Sequence, residues 1–588
     1  MAANSNGAQD DVRQQSVTPH DHYNQLLLLQ QPGYSTMATL PGSSSSTPLP
    51  PPSPSPSSSS PSPSEATPLL LSPDPTTKVT HTDNAATLCW TTGLVDESNL
   101  DDPRALRAAV KEEATWLTVS ALSMMITYLC QYSFVFVNTL VLGHLGPKEL
   151  GAASLAIATN NVINYAPILG YAGTLDTFCS TAFTAFTDKR AVGFHLQRGL
   201  LAVVLHYCLT FPFLWNIEWI LLVAKQDPEI ARLCGQFMRI YLFGDLPWTL
   251  FECLKQFLQA QGDMKTSTKL LVLIAPLHVV TTYLLVWSPW FGLGYIGSPL
   301  ACCVTNWLML VGLVVYISCS KAREAWGGFD YRCVHGISEF YKVALPSVAM
   351  ACCDWWAFEV LTVGASYLGS TALAAQSVVV NVSAIMFQVP GGMSIAVGTR
   401  VGNMLGAGRS RTAKLTVKVG YVITAAFLLV TVSSMIGLSS WWGSIYTSDP
   451  EIIHIVAVSL RIVAFVHALD IVNMVNLGIL RAMGQQRAGA LICLPPYYVI
   501  MVPVGAYLAF SSLDMGVPGL WAGMLIGLVF VVAGQFTFMF GYVDWDREVV
   551  DCLERLKKST RVDGQPLKLN VEQLENGEGG LSVTRSEC

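Results

Sequence analysis

Three carboxylic acids stand where a carboxylate is hardest to keep. Asp354 and Glu359 lie in one long apolar stretch and Asp470 in another. Ionisable groups deep in such surroundings cost several kcal/mol when uncompensated, so each marks a candidate functional position. The first two belong to Asp354-Trp355-Trp356-Ala357-Phe358-Glu359. At helical spacing they are about 140° apart, so both reach one cavity only if it is wide or the helix bends. A carboxyl in an apolar cavity can load and release a proton near physiological pH, which is the chemistry of proton coupling. The structural alternative is a carboxylate satisfied by an Asn, Gln or Arg of a neighbouring helix.

Aromatic side chains flank these acids: Trp355, Trp356, Phe358 and, further on, Tyr497 and Tyr498. A carboxylate beside aromatic faces suits a lipophilic cation through charge and cation–π attraction. Trp in such a helix equally packs or faces lipid. Asn381, Gln388, Asn473 and Asn476 either line a cleft or join helices by hydrogen bonds. Candidate substrate contacts are therefore Trp355, Trp356, Asn381, Gln388, Asn473 and Tyr497. Asp245, Glu252 and Arg239 are weaker candidates, because Glu252 and Lys255 are i,i+3 partners that can neutralise each other. Glu218 and Arg461 fall near helix ends, where a long side chain reaches water at little cost. Gly292-Leu-Gly294-Tyr-Ile-Gly297 matches a dinucleotide-binding pattern but has no strand before it. Asn381-Val-Ser383 matches a glycosylation sequon inside an apolar helix, out of reach of modification.

The elements that position these residues are apolar blocks of one length. Of 588 residues 52% are hydrophobic and 13% charged, against roughly 25% charged in soluble domains. From about Ala114 to Tyr542 some twenty apolar residues alternate with short polar breaks, the length needed to cross a hydrocarbon layer as a helix. Twelve helices are predicted, centred near Thr127, Asn164, Phe211, Pro247, Val279, Leu308, Cys353, Ala384, Phe427, Ala468, Ile500 and Leu528. The fourth is the weakest, because Arg239, Asp245, Glu252 and Lys255 fall in or beside it.

Basic residues alternate in placement. With the N-terminus inside, inner segments hold Arg104, Arg107 and Lys111, then Lys189, Arg190 and Arg198, then Lys265 and Lys269. Lys321, Arg323, Arg332 and Lys342 follow, and later Arg400, Arg409, Arg411, Lys414, Arg481 and Arg487. Outer loops carry little beyond Lys148, Lys225 and Arg232. This asymmetry predicts cytosolic termini.

The chain also repeats itself. Leu145-Gly146, Leu150 and Ala152-Ala153-Ser154 recur as Leu368-Gly369, Leu373 and Ala375-Gln376-Ser377, an offset of 223. Leu258 to Gly262 recurs as Leu480 to Gly484, at an offset of 222. Two six-helix halves entering the membrane in the same sense predict a cleft site on an axis along the membrane normal. The expected fold is an all-α membrane protein of twelve transmembrane helices in two pseudo-symmetric lobes. Its divisions are a Ser/Pro-rich disordered tail over 1–110, a first lobe over 111–320, a connector over 321–342, a second lobe over 343–543, and an amphipathic helix with a tail over 544–588. The tail composition cannot offset ordering entropy by burying apolar surface. On the amphipathic helix Val549, Cys552, Leu553 and Leu556 share a face, and Asp551–Arg555 and Glu554–Lys558 are possible i,i+4 pairs.

A net charge of −6 gives no basic field for nucleic acid. The 15 cysteines, with Cys302-Cys303 and Cys352-Cys353 inside apolar blocks, show no zinc spacing and read as small buried hydrophobes. No metal or other cofactor is expected, and no enzyme signature is present. No basic-plus-apolar leader opens the sequence, so the first membrane helix is expected to act as its own insertion signal. In the N-terminal tail, Glu65-Ala-Thr-Pro-Leu69-Leu70 has the form of an acidic dileucine sorting signal read by cytosolic adaptors.

Several motifs together resemble the multidrug and toxic compound extrusion family, particularly its eukaryotic, fungal-like branch. These are Gly143-His144-Leu145-Gly146-Pro147-Lys148-Glu149-Leu150, Leu175-Asp176-Thr177-Phe178-Cys179-Ser180, the Asp354–Glu359 segment, Arg400-Val-Gly-Asn403-Met-Leu-Gly-Ala-Gly408, and Leu480-Arg481 through Gly484, Gln486 and Gly489-Ala490. The likeness covers about Glu112–Tyr542. It implies two six-helix lobes and antiport, in which an inward flow of protons or sodium drives substrate out of the cytosol; of the two, a proton gradient is expected ahead of sodium. Three departures matter. Asp354 stands where the family usually has Glu. Thr181-Ala182-Phe183-Thr184 replaces the Gln-Ala-Tyr-Gly that usually follows Cys-Ser. Asn138 occupies a position where many bacterial members carry Asp, and an amide cannot titrate, which moves expected coupling to Asp354, Glu359 and Asp470. The expected activity is export of organic cations or other amphiphilic metabolites and xenobiotics by a monomer in a vacuolar or plasma membrane. The alternative is a lipid or lipid-linked-sugar flippase, whose anionic headgroups would favour a basic cavity.

Overall fold

The computed structural model describes residue 97 and residues 100–290, 292–562 and 565–566. Glu65, Leu69 and Leu70 lie outside the described residues. The chain is almost wholly helical. Its first half holds α1 (Pro103–Leu145), α2 (Pro147–Asn160), α3 (Ala166–Ala185), α4 (Arg190–Trp215), α5 (Ile217–Val223), α6 (Pro228–Ala260), α7 (Lys265–Trp287) and α8 (Gly297–Cys319). After the short α9 (Arg323–Trp326), the second half holds α10 (Ile337–Ser366), α11 (Ser370–Gly406), α12 (Ser410–Gly437), α13 (Ser439–Tyr446), α14 (Pro450–Met483), α15 (Gln486–Pro495), α16 (Val502–Phe510) and α17 (Gly516–Gly541). α18 (Trp545–Ser559) follows, and then a two-residue antiparallel pairing, Arg561–Val562 with Gln565–Pro566.

Among the described residues ten helices are long and apolar enough to cross a membrane. The sequence predicted twelve. The two that fall short are the α2–α3 rod and α6, which carry the interior polar groups Asn160, Asn164, Asp176, Asp245, Glu252 and Lys255. All twelve predicted centres nonetheless fall in helix.

Local chemistry sets the ends. Asp102, Asp227 and Asp449 each precede a proline, and each side chain accepts a first-turn backbone N–H. The proline at the first helical position has no N–H to leave unsatisfied. This Asp-Pro start corrects the tail boundary: α1 begins at Pro103, inside the predicted 1–110 tail. Likewise α10 starts at Ile337, inside the predicted 321–342 connector, after the left-handed Gly336 (φ 78°). Gly484 (φ 75°) closes α14 in the left-handed conformation that glycine adopts without strain.

Two rods are widened by a single π turn, Asn161–Tyr165 between α2 and α3 and Pro496–Met501 between α15 and α16. A π turn inserts a residue into the helical register and re-aims the side chains on it. Asn164, Tyr165 and Tyr497 sit on these turns.

The halves pack along α1 with α11 and α3 with α10, α11 and α14. At the end where the basic residues gather, the seam is tight. Ser347 Oγ donates to the Gly170 carbonyl at 2.8 Å, Thr177 Oγ1 to that of Arg481 at 2.6 Å, and Thr184 Oγ1 to that of Asn403 at 2.8 Å. Across the same end Arg400 of α11 meets Glu113 of α1 at 2.5 Å, both buried, and Thr416 Oγ1 donates to the same carboxylate at 3.0 Å.

α18 caps this end with the predicted face, Val549, Cys552, Leu553 and Leu556, buried. Lys558 pairs with Glu554 at 3.3 Å, as its spacing predicts. The Asp551–Arg555 pair does not form: Asp551 approaches Arg547 at 3.9 Å, and Arg555 donates to the Met483 carbonyl at 2.9 Å. A backbone carbonyl in a packed turn offers Arg555 a better-fixed acceptor than a solvated carboxylate on its own helix. Arg198 of α4 binds the carbonyls of Cys333, His335 and Ser559, joining the first half to the connector and to the end of α18.

Gly170 sets the closeness of the seam, since a Cβ there would collide with the Val348 backbone. Gly170→Ala should cost about 1–3 kcal/mol, the usual penalty for overpacking. The check is the thermal midpoint of the purified protein, which should fall while Gly437→Ala, where a Cβ meets nothing, changes it far less.

Candidate functional site

The second half encloses a chain of polar side chains that ends on two carboxyls. Asp354 of α10 is buried and accepts from the Tyr497 hydroxyl at 2.6 Å and from Asn473 Nδ2 at 3.4 Å. Gln535 of α17 donates to Asn473 Oδ1 at 2.7 Å and accepts from Asn476 at 2.9 Å, and the Tyr421 hydroxyl of α12 donates to Asn476 at 2.5 Å. Asp470 precedes Asn473 by three residues and so shares its face of α14. Asp470 is buried, its Oδ1 makes no hydrogen bond among the described residues, and it lies within electrostatic reach of Asp354.

Five helical segments thus supply one network, and the π turn aims Tyr497 into it. Among the described residues no cation joins the hydrogen-bonded chain; Arg481 acts on Asp354 only through its electrostatic field, and the hydrogen-bond partners of that carboxyl are one amide and one phenol. Such groups can hold either protonation state of a carboxyl, whereas an Arg or Lys partner would hold only the charged one.

Glu359 stands apart: it is half-buried, and no hydrogen bond reaches it among the described residues. The helical spacing accounts for this, since it points well away from Asp354 on the same helix. Trp355 packs edge-on against Tyr165 at 5.0 Å, and Tyr165 stacks on Trp248 at 4.7 Å, so an aromatic cluster joins the two halves. Trp356 donates its indole N–H to the Val162 carbonyl at 3.2 Å. Asn381 is exposed and accepts from the Tyr132 hydroxyl at 3.4 Å, again across the halves. Gln388 bonds to its own helix at the Ala384 carbonyl, at 2.9 Å. Asn473 and Tyr497 are wholly enclosed and direct their polar atoms at Asp354, so they position that carboxyl.

The first half holds three further clusters. Glu252 and Lys255 form the suspected i,i+3 pair at 2.6 Å, deeply buried, and Gln131 donates to Glu252 at 2.8 Å. Asp245 accepts from Asn160 at 3.2 Å and from Asn164. Asn138 lies among His278, Ser298 and Cys302, with Thr305 on the far ring nitrogen of His278 at 2.7 Å. Arg239 pairs with Glu218 at 2.9 Å nearer the surface.

Sequence reasoning missed Gln535, Tyr421, Asp176, His278 and the Glu113–Arg400 pair. Gln535 was findable as the one amide in the otherwise apolar α17. Asp176 is buried between the halves, in the field of Arg481 and Lys255, with its Oδ1 unbonded among the described residues. Glu113 and Arg400 carried no signal as a pair, because nearly 300 residues separate them.

An all-helical, apolar bundle with carboxyls solvated by side chains in its interior defines a multi-pass membrane transporter. Comparison with known proteins gives the family. The MatE family model matches twice, over residues 123–284 and 346–507, blocks whose starts and ends are displaced by the repeat offset of 223. Human multidrug and toxin extrusion protein 1 is 33% identical over 430 residues, covering 73% of this chain and 75% of that protein. Protein DETOXIFICATION 16 of Arabidopsis thaliana is 32% identical over 463 residues, 78% and 93% of the two chains. An uncharacterised transporter of Schizosaccharomyces pombe is 34% identical over 466 residues, 78% and 86%. Among solved structures, the eukaryotic MATE transporter AtDTX14 superposes with a TM-score of 0.70 at 24% identity, over 76% of this chain and 99% of its own. The chain belongs to the multidrug and toxic compound extrusion family of transporters, and it is not an enzyme.

The buried Glu113–Arg400 pair gives a stability test. Arg400→Ala should cost about 3–5 kcal/mol, because it leaves a carboxylate enclosed without its cation. Adding Glu113→Gln should recover part of the loss in thermal midpoint; equal destabilisation of single and double variants would remove the pair from this role.

Proposed function

We propose that the protein is a secondary antiporter that moves organic cations or other amphiphilic metabolites and xenobiotics out of the cytosol in exchange for protons. The observation that carries this reading is the pair Asp354 and Asp470, enclosed with amide and phenol partners and no cation in their hydrogen-bonded chain. A proton is a ligand that such a pair can gain and lose without rebuilding its surroundings. Each proton gained lowers the negative charge of the pair and with it the attraction for a cationic substrate, so substrate release and proton uptake are linked. Glu359, close along the same helix but outside the chain, is proposed to serve the proton or substrate path. Trp355, Trp356, Asn381 and Gln388 are proposed to meet substrate when the halves separate, because each stands at or beside their junction. The acidic character of the interior favours cations over the anionic headgroups of a flippase, for which the family comparison offers no support.

In this reading the α2–α3 rod and α6 also cross the bilayer, giving twelve spans in two lobes. Their interior polar groups face partners: Asp245 has two amides, and Glu252 has Lys255 and Gln131. The basic end is then cytosolic, and the tight seam at that end is the cytosol-closed arrangement.

Transport by protein reconstituted in vesicles tests the coupling. Asp470→Asn and Glu359→Gln should each reduce uptake of a model organic cation driven by a pH gradient to background. Both should leave the protein folded and embedded. Undiminished gradient-driven transport by both variants would refute the assignment.

We also propose an internal, vacuole-like membrane as the destination, through adaptor recognition of Glu65, Leu69 and Leu70. An acidic lumen would drive cation accumulation by the same exchange. A fluorescent fusion with Leu69 and Leu70 both changed to Ala should move to the cell surface, and a wild-type fusion already there would end the idea.

A further inference from the structure

At the basic end, a cavity of about 250 Å³ opens between α10, the turn from α14 into α15, and α18, with Phe178 of α3 on its lining. Lys342, Arg487, Arg555 and Lys558 contribute four positive charges to its wall and Glu339 one negative charge, with Glu554 against Lys558 and Glu548 against Gln485 just behind it. They come from three separate elements, so the cluster is a product of folding and not of a basic run in the sequence. We infer that this cavity binds the phosphorylated headgroup of an anionic membrane lipid, with an inositol lipid bearing one phosphomonoester as the best match.

The charges are differently committed. Arg555 is anchored by its bond to the Met483 carbonyl at 2.9 Å, and Gly484 makes room for its guanidinium, where any Cβ would collide. Arg487 is exposed on the first turn of α15. Lys342 and Lys558 lean on Glu339 and Glu554 at 2.6 and 3.3 Å, but these pairs are well exposed and worth little. A phosphate can therefore draw both lysines away at small cost and take stronger, charge-assisted bonds.

Backbone geometry adds to the charge. The residue that caps α15, Gln485, makes no side-chain bond to its first turn, and residues 484–487 line the cavity. The free N–H groups and dipole of that ten-residue helix favour an anion at this point. Gln486 also lines the cavity, buried, with its carbonyl oxygen unbonded among the described residues. It is an acceptor that suits a ring hydroxyl and not a phosphate.

Charge and size select the ligand. A phosphodiester carries about one negative charge and a phosphomonoester about −1.5 to −2, so two phosphates can share the four cations of the wall in competition with Glu339, Glu554 and Glu548. The volume falls below the roughly 300–1,000 Å³ of drug-sized sites, so it accommodates a headgroup and leaves the acyl chains outside. Basic clusters beside a membrane helix are the usual reader of such headgroups. The inference rests on this end of the bundle lying at a membrane surface and is independent of what the protein transports.

The test uses full-length protein in detergent micelles and a fluorescent short-chain phosphatidylinositol monophosphate, read by anisotropy. Wild type should bind it, and the Arg487→Ala/Lys558→Ala double variant should bind about tenfold more weakly or worse, for the loss of two charge-assisted contacts. Lys557→Ala, on the same helix but not in the wall, should change affinity less than about twofold; both substituted sites are exposed, and an unchanged thermal midpoint verifies folding. Soluble inositol bisphosphate should compete and short-chain phosphatidylserine should not. Equal losses in the double and Lys557→Ala variants, or unchanged binding in the double variant, would overturn the site. Saturation by inorganic phosphate with no competition from the lipid would overturn the lipid as its source.

Discussion

An ionised side chain moved from water into an apolar interior costs several kcal/mol unless its surroundings replace what the water gave. The interior of this bundle holds Glu113, Asp176, Asp245, Glu252, Lys255, Asp354, Arg400 and Asp470, all buried. Helix packing elsewhere follows from how each is accommodated. Glu113 and Arg400 neutralise each other across the junction of the halves and bind α1 to α11. Glu252 and Lys255 do so within α6, and that internal neutrality lets a helix with so many charges take an interior place. Asp354 takes its hydrogen bonds from an amide and a phenol, with Arg481 acting on it only through its field.

This arrangement divides the interior into parts that are fixed and parts that can change. The Glu113 carboxylate is held by a salt bridge at 2.5 Å and by a threonine hydroxyl. Asp354 accepts instead from Tyr497 and Asn473, and a hydroxyl and an amide can adjust their hydrogen bonds to either form of a carboxyl. On the proposed antiport reading, stability and exchangeable protons call for different partners, and these partners stand in different places. The fixed pair lies at the sealed basic end, and the adjustable pair lies within the second half.

Much of the fold could be read from the sequence, because a helix that must be apolar over its whole length writes its position in composition alone. The offset of 223 likewise exposed the duplication without reference to any structure. Asp354 and Asp470 were legible for a related reason: an acid in an apolar block has few explanations. Their partners were less legible. Tyr497 reaches Asp354 from a π turn, a local widening that hydrophobic periodicity does not encode. Glu113 read as one of the polar residues leading into the first helix, and Arg400 as part of the basic loop signal. Only packing turns two such residues into a pair. Boundaries failed where a cap overrode composition, as at Asp102-Pro103, which starts a helix inside a segment that reads as tail.

The duplication makes the remaining asymmetry informative. Gln131 and Asp354 occupy the same repeat position, at the offset of 223, in the first helix of each half. Gln131 donates to Glu252, whereas Asp354 accepts from Tyr497. One backbone position thus serves as a neutral donor to an acid that already has its lysine, and in the other half as an acid whose hydrogen-bonded chain holds no cation. Asn138 extends the contrast, since its amide sits in a neutral cluster with His278, Ser298 and Cys302. A duplicated fold that began with equivalent halves would lose nothing in packing by keeping both alike. Here Glu252 and Asp245 of the first half are balanced, by Lys255 and by paired amides, and the second half keeps a pair of acids in reach of one another. Repulsion between two such carboxylates makes the second charge harder to place than the first. On the proposed antiport reading, that repulsion is what lets one proton or one cationic substrate, but not neither, satisfy the site.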